Sequence, residues 1–288
     1  MNANEEAEFI LTLSCNDRRG IVHAVARILS ENDCNIEEAA QFNDNMNNRF
    51  FMRIAFKSAE VGISADQLKD AFSGTAAEFD MEWDIVPKAH RMRTILMVSK
   101  LGHCLHDLLL RWNAGLVPID IRGIVSNHRD FYQLAAAHNI PFHHIPVTPA
   151  LKQTAEALLR ALIEAEQAEL VVLARYMQVL SDDLAKDLYG RAINIHHSFL
   201  PGFKGAKPYQ QAHDRGVKLI GATAHYVTGD LDEGPIIEQD VARANHSMSA
   251  AALTTLGRDV ESLVLARAVK WHAERRVFIN NHRTVVFQ

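Results

Sequence analysis

The sequence predicts two α/β domains joined by a short linker, and three observations lead to this prediction. The chain has 288 residues, about twice the length of a typical single domain. Its first part alternates strand and helix patterns in the order β-α-β-β-α-β. From residue 92 onwards, short apolar runs alternate with helical segments, which is typical of βαβ units. We therefore expect one domain at residues 1–88 and a second at residues 89–288.

The first domain contains four predicted strands and two predicted helices. We expect strands at 9–15, from 35 onwards, at 49–56 and at 79–86. Apolar residues recur at helical spacing between Ile21 and Leu29, which predicts the first helix. Ser64 and Gln67 have the spacing of a capping box, so a second helix is expected at 65–76.

The second domain contains the longer series of elements. Its apolar runs predict strands at 95–98, 120–125, 142–145, 170–174 and 192–196, and a hairpin-like pair at 220–228 and 235–241. Its helical patterns predict helices at 103–113, 131–137, 151–167 and 251–274.

Composition excludes several classes of protein. Apolar residues make up 48% and charged residues 23%, which is ordinary for a soluble globular protein. The longest uncharged apolar stretches are far too short to span a bilayer, and the acidic first residues do not resemble a secretion signal. A formal net charge of −5 provides no basic stripe for nucleic acid. We expect a cytoplasmic protein that binds neither nucleic acid nor membranes.

Cysteine and histidine patterns do not predict a metal site. Cys15, Cys34 and Cys104 are widely spaced and form no CxxC pair, so buried reduced thiols are expected. His103 and His106 could share a helix face, but only Asp107 is near enough in sequence to complete a site, and we expect no metal.

Neighbouring histidines and acidic residues elsewhere give no better signal for a metal. Adjacent histidines in a strand point to opposite faces, so the two His-His pairs are poor chelates. The stretch from Asp230 to Gly234 faintly matches a calcium loop, but Val241 occupies the position of the required glutamate.

The most informative polar residues are Asn194, His196 and Asp232. Asn194 and His196 are two positions apart, so in an extended strand their side chains project to the same side. They end a predicted strand, where open α/β sheets place their sites. An amide beside an imidazole can polarise a carbonyl group, and a carboxylate from another loop can orient the imidazole. Spacing alone equally allows a strand-end Asn and His that bond only to the backbone.

The motif Asn-x-His, followed by Leu-Asp-x-Gly-Pro at 231–235, resembles the catalytic signature of formyltransferases that use 10-formyltetrahydrofolate. This resemblance covers about residues 92–288. The runs at 196–209, 221–228 and 257–261 are similar to those of formyltetrahydrofolate deformylases. The stretch from Cys15 to Val22, with Asn35 and Ile36, resembles an ACT domain, and an ACT domain before a formyltransferase domain is the deformylase arrangement.

The resemblance implies a fold and a reaction. The fold would be a ferredoxin-like βαββαβ (ACT) domain followed by a Rossmann-like formyltransferase domain. The reaction would be hydrolysis of 10-formyltetrahydrofolate to formate and tetrahydrofolate, which supports one-carbon balance and supplies formate to purine synthesis. Asn194 and His196 would stabilise the formyl oxygen, while Asp232 would hold His196 and help to move the proton of water. The folate is then the substrate, and no cofactor is expected.

The resemblance also implies two sets of binding residues. The segment 173–181 is similar to the one that holds the pterin, so the folate-binding residues would be Tyr176, Met177, Gln178, Leu180 and Thr228. The ACT-like turn implies an amino-acid effector, methionine or glycine, held by Asp17, Gly20, Ile21, Val22 and Asn35. It also implies a homo-oligomer, either a dimer or a tetramer.

Two departures from the transferase pattern keep alternatives open. The purine transformylase carries a phosphate-binding loop where this chain has Ser99 to Cys104, and His197 stands where transferases mostly carry proline or a small residue. These departures imply a repurposed amine-acceptor pocket, and the sequence leaves open whether His197, Ser198 and Lys204 shape the access of water. The alternatives are a formyltransferase acting on an amine, an amino-acid-binding protein without catalysis, and a metal-dependent hydrolase.

Overall fold

The structure, a computed structural model, describes residues 7–60, 62–200 and 208–288. Its contacts divide the chain into two compact units. The first comprises Met1–His90, Glu274–Phe278 and Val285–Gln288, and the second comprises Arg91–Ala273 and Ile279–Thr284. The segments Glu274–Phe278 and Val285–Gln288 thus belong to the first unit, whereas the sequence patterns predicted them in the second domain.

The first unit has the predicted β-α-β-β-α-β order. Its elements are β1 (Ala7–Asn16), α1 (Ile21–Glu31), β2 (Cys34–Asp44), β3 (Arg49–Ser58), α2 (Ala65–Phe79) and β4 (Glu82–Pro87). The strands form an antiparallel sheet in the order β2-β3-β1-β4. Alternate residues of the central strands, such as Leu11 and Leu13, are buried together with Val25 of α1 and Phe72 of α2. One face of the sheet and the apolar sides of both helices therefore form the core of this unit.

The second helix starts as predicted but ends later. Ser64 and Gln67 form the capping box at its first turn. The helix continues to Phe79, whose ring is buried in the core, and ends where Asp80 adopts a φ of 51°. The fourth strand therefore begins at Glu82, so the prediction that it begins at residue 79 was wrong.

The second unit contains a seven-stranded mixed sheet in the order β11-β10-β9-β8-β5-β6-β7. Its strands are β5 (Met92–Val98), β6 (Ile119–Ser126), β7 (Phe142–His144), β8 (Leu170–Leu173), β9 (Ala192–His196), β10 (Leu219–Tyr226) and β11 (Ile236–Arg243). Five neighbouring strands, β9, β8, β5, β6 and β7, run parallel to one another. Strand β10 is antiparallel to both of its neighbours, β9 and β11. The strand order reverses between β5 and β8, and open α/β sheets bind ligands at the carboxyl ends of strands near such a point.

The helices of this unit are α3 (His103–Asn113), α4 (Tyr132–Ala137), α5 (Lys152–Ala165), α6 (Asp182–Asp187), α7 (Pro208–Asp214) and α8 (Ala250–Ala273). Short helices α6 and α7 were not predicted, and neither was the terminal two-stranded sheet of β12 (Val277–Asn280) and β13 (Arg283–Val286). In the described part of the chain, no helix combines the length and apolar character needed to cross a membrane.

Candidate active site

A cavity of about 280 Å³ lies at the carboxyl ends of β8 and β9. It is lined by the segment after β8, by the end of β9 and by the loop between β10 and β11. All of the residues predicted as catalytic or folate-binding line this one cavity: Asn194, His196, Asp232, Tyr176, Met177, Gln178, Leu180 and Thr228. The fold of the second unit thus brings together residues from three separate chain segments.

A hydrogen-bonded pair formed by His196 and Asp232 lies in this cavity. His196 Nδ1 is 3.1 Å from Asp232 Oδ2, and the His196 side chain is only 9% exposed. Because an ionised carboxylate can only accept hydrogen bonds, His196 Nδ1 carries the proton and donates a hydrogen bond to Asp232. His196 Nε2 is buried and has no hydrogen-bond partner among the described residues. A neutral His196 therefore presents a lone pair at Nε2, which can accept a proton.

Asp232 remains ionised in this position. Burial raises the pKa of its carboxyl group, but the hydrogen bond from His196 is the largest of the interactions that outweigh burial and hold that pKa well below its usual range. An anionic Asp232 can therefore fix the orientation of the imidazole and stabilise it when it becomes charged.

His225 is a polar residue of the cavity to which the sequence patterns gave no role. It lies directly opposite Asn194 in the antiparallel pair of β9 and β10, and opposed residues share a face of the sheet. His225 Nδ1 is 2.9 Å from the carbonyl oxygen of Tyr226, to which it donates. Its Nε2 therefore accepts from the amide of Asn194, 3.3 Å away. This contact orients Asn194, whose second N–H can donate to an oxygen in the cavity.

The loop that carries Asp232 is held against β10 by a close backbone contact at Gly234. The backbone N–H of Tyr226 donates to the carbonyl oxygen of Pro235 at 2.9 Å. A Cβ atom at position 234 would lie 1.8 Å from the carbonyl oxygen of Tyr226, so only glycine fits. The glycine of the Asp-x-Gly-Pro motif therefore sets the position of Asp232.

The segment after β8 forms a mostly apolar wall of the cavity. Ser99, at the end of β5, anchors this segment by accepting a hydrogen bond from the backbone N–H of Met177 at 2.9 Å. Tyr176 and Leu180 are buried, whereas 56% of Met177 is exposed. Burial raises the pKa of Tyr176 to about 12, so its hydroxyl group stays neutral. The wall therefore suits a flat, largely uncharged ring system.

Thr228 also lines the cavity, and it lies in the loop after β10. Its hydroxyl group donates to the carbonyl oxygen of Asp230 at 3.0 Å. The hydroxyl group thus stabilises the loop, so the backbone groups of Thr228 are the ones that remain for contact with a ligand.

A buried ionic cluster adjoins the cavity, and the sequence patterns did not reveal it. Arg175 Nε lies 3.3 Å from Glu261 Oε2 of α8, and Glu261 is 1% exposed. His103 Nε2 lies 2.7 Å from the same carboxylate oxygen, and the hydroxyl group of Tyr209 donates to the other. Burial raises the pKa of Glu261, but the bond with His103 and the charge of Arg175 outweigh it and lower that pKa. The carboxylate is therefore ionised and fully engaged.

This cluster is a poor metal site, although its atoms are close together. Ligand atoms of His103, Cys104 and Glu261 lie within 4.8 Å of one another, the one such group in the described residues. The oxygens of Glu261 are already engaged by Arg175, His103 and Tyr209. Burial raises the pKa of Cys104 above its ordinary value, so the thiol stays protonated, whereas metals bind the thiolate. These residues do not fit a metal ion.

The sequence patterns left the roles of His197, Ser198 and Lys204 open. His197 lines the cavity, and its Nδ1 lies 2.9 Å from Arg175 Nη1. Ser198 is buried, and its carbonyl oxygen accepts a hydrogen bond from Thr223. Lys204 lies outside the described residues.

A second cavity, of about 250 Å³, lies in the first unit at the turn between β1 and α1. Asp17, Gly20, Ile21 and Val22 line it, as do residues of β2 and β3. Gly20 has a φ of 97°, a conformation that favours glycine. Asn35, the fifth residue predicted to bind an effector, lies on β2 and does not line this cavity.

Comparisons with known proteins agree with this arrangement. A family model described as formyl transferase matches residues 92–269. The chain is 49% identical to the formyltetrahydrofolate deformylase of Corynebacterium sp. (strain P-1), over 99% of this chain and 100% of that protein. The chain belongs to the formyltetrahydrofolate deformylase family.

Solved structures separate the deformylase family from its transferase relatives. The crystal structure of the formyltetrahydrofolate deformylase from Burkholderia mallei superposes with a TM-score of 0.94 at 55% identity, covering 98% of this chain and 100% of that one. Glycinamide ribonucleotide transformylase 1 from Symbiobacterium toebii superposes with a TM-score of 0.64 at 28% identity, covering 69% of this chain and 95% of that one. Similarity to deformylases thus extends over nearly the whole chain, including the first unit.

Proposed function

We propose that this chain hydrolyses 10-formyltetrahydrofolate to formate and tetrahydrofolate. The observation that carries the proposal is the His196–Asp232 pair beside Asn194, inside a cavity with an apolar wall. His196 supplies a base whose charged form Asp232 stabilises, and the side-chain amide of Asn194 supplies a hydrogen-bond donor. Hydrolysis of a formamide group needs both of these functions.

The proposed reaction starts with proton transfer from water to His196 Nε2. The water oxygen bonds to the formyl carbon, and the carbonyl electron pair moves to its oxygen, which accepts a hydrogen bond from Asn194. The charged imidazole, paired with Asp232, also stabilises this negative oxygen. The carbon–N10 bond then breaks while His196 returns its proton to N10. Tetrahydrofolate and formic acid leave, and the acid loses its proton to solvent.

The folate is held, in this proposal, by the wall after β8 and by the loop after β10. Tyr176, Met177 and Leu180 contribute apolar contacts, while Gln178 and the backbone at Thr228 pair with the pterin. No step of this route requires a metal ion or an organic cofactor, because the chain's own groups supply the base and the donor. Dialysis against a chelator is therefore expected to leave turnover unchanged.

The decisive experiment is incubation of the pure protein with 10-formyltetrahydrofolate alone, followed by measurement of formate. We expect formate and tetrahydrofolate in equal amounts, because water is the only acceptor. A control reaction contains added amines. Formyl transfer that occurs only when an amine is present would identify a transferase and refute the proposal.

We further propose that the first unit is an ACT domain that binds an amino acid. The cavity at the turn between β1 and α1 supports this proposal because Asp17, Gly20, Ile21 and Val22 line it together. Asp17 offers a carboxylate for an ammonium group, and Ile21 and Val22 offer apolar contacts. Regulation by methionine or glycine, assembly into a dimer or tetramer, a cytoplasmic location and supply of formate to purine synthesis belong to the same proposal.

A further inference from the structure

His197, next to His196 in the chain, has a defined environment that the proposed reaction does not yet use. The two imidazole rings are stacked, with centroids 4.8 Å apart and an angle of 21° between their planes. Both rings line the cavity, and Nε2 of each is buried without a hydrogen-bond partner among the described residues. Two adjacent rings therefore bring unpaired polar atoms to the same site.

Arg175 determines which nitrogen of His197 carries the proton. Its Nη1 lies 2.9 Å from His197 Nδ1. A guanidinium group has only donors, so Nδ1 must accept and cannot carry a proton. The proton of the neutral ring is then on Nε2, and His197 is a donor at that atom. Burial and the charge of Arg175 lower the pKa of His197 to about 4, which agrees with a neutral ring.

Arg175 is itself held firmly in place. Glu261 lies 3.3 Å from its Nε, and Glu261 is fixed in turn by His103 and Tyr209. The backbone of Arg175 has a φ of 65°, a conformation that is uncommon for residues other than glycine. The ion pair with Glu261 places the guanidinium group beside His197.

In the proposed reaction, Asn194 is the one side chain that donates a hydrogen bond to the formyl oxygen, because the proton on His196 Nε2 passes to N10 and the imidazole acts on the oxygen through its charge. A second donor at this oxygen would stabilise its negative charge further. We propose that His197 is this second donor, that its Nε2–H contacts the formyl oxygen, and that Arg175 is a positioning residue that holds the donating tautomer. The proposal rests on the proposed hydrolysis, and it excludes His197 as the base.

The first test reads the tautomer in the free protein. Long-range ¹H–¹⁵N spectra of histidine-labelled protein, assigned with the His197→Gln variant, report which ring nitrogen is protonated. We expect a proton on Nε2 and none on Nδ1 near neutral pH. The side chain of the Arg175→Gln variant can also accept a hydrogen bond from Nδ1–H of His197, so we expect part of the His197 signal to move to the Nδ1-protonated form. A proton on Nδ1 of the wild-type ring would overturn the proposal, and His197 variants remain informative if Arg175→Gln does not fold.

The second test compares His197→Gln with His197→Asn. The amide nitrogen of Gln reaches the position of Nε2, whereas that of Asn reaches only the position of Nδ1. We expect kcat of the Asn variant to fall roughly 10²-fold, with KM little changed, and that of the Gln variant to fall less than about tenfold. Equal kcat values for both variants would overturn the proposal. Absence of formate with wild-type protein would instead refute the proposed function, because the tautomer is read without substrate.

Discussion

In the proposed reaction, Asp232 acts on the reacting centre through its hydrogen bond with His196. Its carboxylate contacts Nδ1, while Nε2 is buried without a hydrogen-bond partner among the described residues. The depressed pKa of Asp232 means that this carboxylate is charged throughout the range in which an enzyme is assayed. The negative charge is therefore a permanent part of the site and needs no proton transfer of its own.

We expect Asp232→Asn to lower kcat by roughly 10²–10⁴-fold while folate affinity changes little, because the amide keeps the shape but cannot stabilise a charged imidazole. Formate release and equilibrium folate binding measure the two effects. Asp187→Asn is the matched control, since Asp187 pairs with Arg160 and does not line the cavity. Near-normal formate release by Asp232→Asn would contradict the role of the pair.

His197 predicts a pH dependence of stability. The folded ring has a pKa of about 4, whereas the ring in the unfolded chain titrates near 6.5. Between these values the unfolded chain binds more protons, so the free energy of unfolding falls as pH falls. This contribution is complete above pH 6.5 and is lost towards pH 4.

Denaturant titrations between pH 4 and pH 6.5 measure the contribution of His197 to the free energy of unfolding. We expect wild-type protein to lose more stability between pH 6.5 and pH 4 than His197→Gln, which has no titrating ring at this position. Parallel curves for the two proteins would show that His197 is not held neutral by the fold.

At the scale of elements, the backbone contact with β10 determines where the loop between β10 and β11 lies, and the length of the loop does not. Gly234 lies so close to the carbonyl of Tyr226 that any side chain would displace the loop. Asp232 lies two positions earlier in this loop. In the proposed reaction, the glycine therefore affects catalysis through the position of Asp232.

Gly234→Ala is expected to lower both kcat and the melting temperature, because the added methyl group must push Asp232 away from His196. Gly74→Ala in α2 is the control, since its Cβ would meet no atom within 4 Å and Gly74 does not line the cavity. Kinetic assays and thermal denaturation distinguish the two. Equal activity of both variants would show that the close contact is not what positions the carboxylate.

Local patterns predicted the elements better than they predicted the contacts between them. Strand β9 has the predicted bounds, and the capping box of α2 is present, because both depend on neighbouring residues in sequence. The pairing of Asn194 with His225 depends on strand register, and that of His103 with Glu261 joins residues 158 positions apart. Periodicity carries no information about either contact. Short helices such as α6 were missed because 6 residues do not establish a helical period.

At the scale of the whole molecule, the chain combines two units, each with a cavity of its own. The family resemblance identified both, since the motifs at Asn194 and at Asp17 lie in different units. Sequence alone could not show that Asn35 lies outside the second cavity, because its place on β2 follows from the sheet order.

We expect an amino acid to bind the first unit and to change the rate of formate release. Calorimetry and kinetics with methionine, glycine and the other common amino acids measure this response. Val22→Lys, at the cavity, is expected to abolish it, whereas Met46→Lys, at an exposed position that does not line the cavity, is expected to retain it. Absence of any heat or rate change with every amino acid would refute the effector proposal.

The strand that carries Asn194 and His196 is hydrogen-bonded along both edges, to β8 and to β10. Amide protons in such an interior strand exchange with solvent only when the surrounding sheet opens cooperatively. We therefore expect thermal inactivation to coincide with melting of this sheet, whereas fraying of a terminus is expected to leave Asn194 and His196 in register.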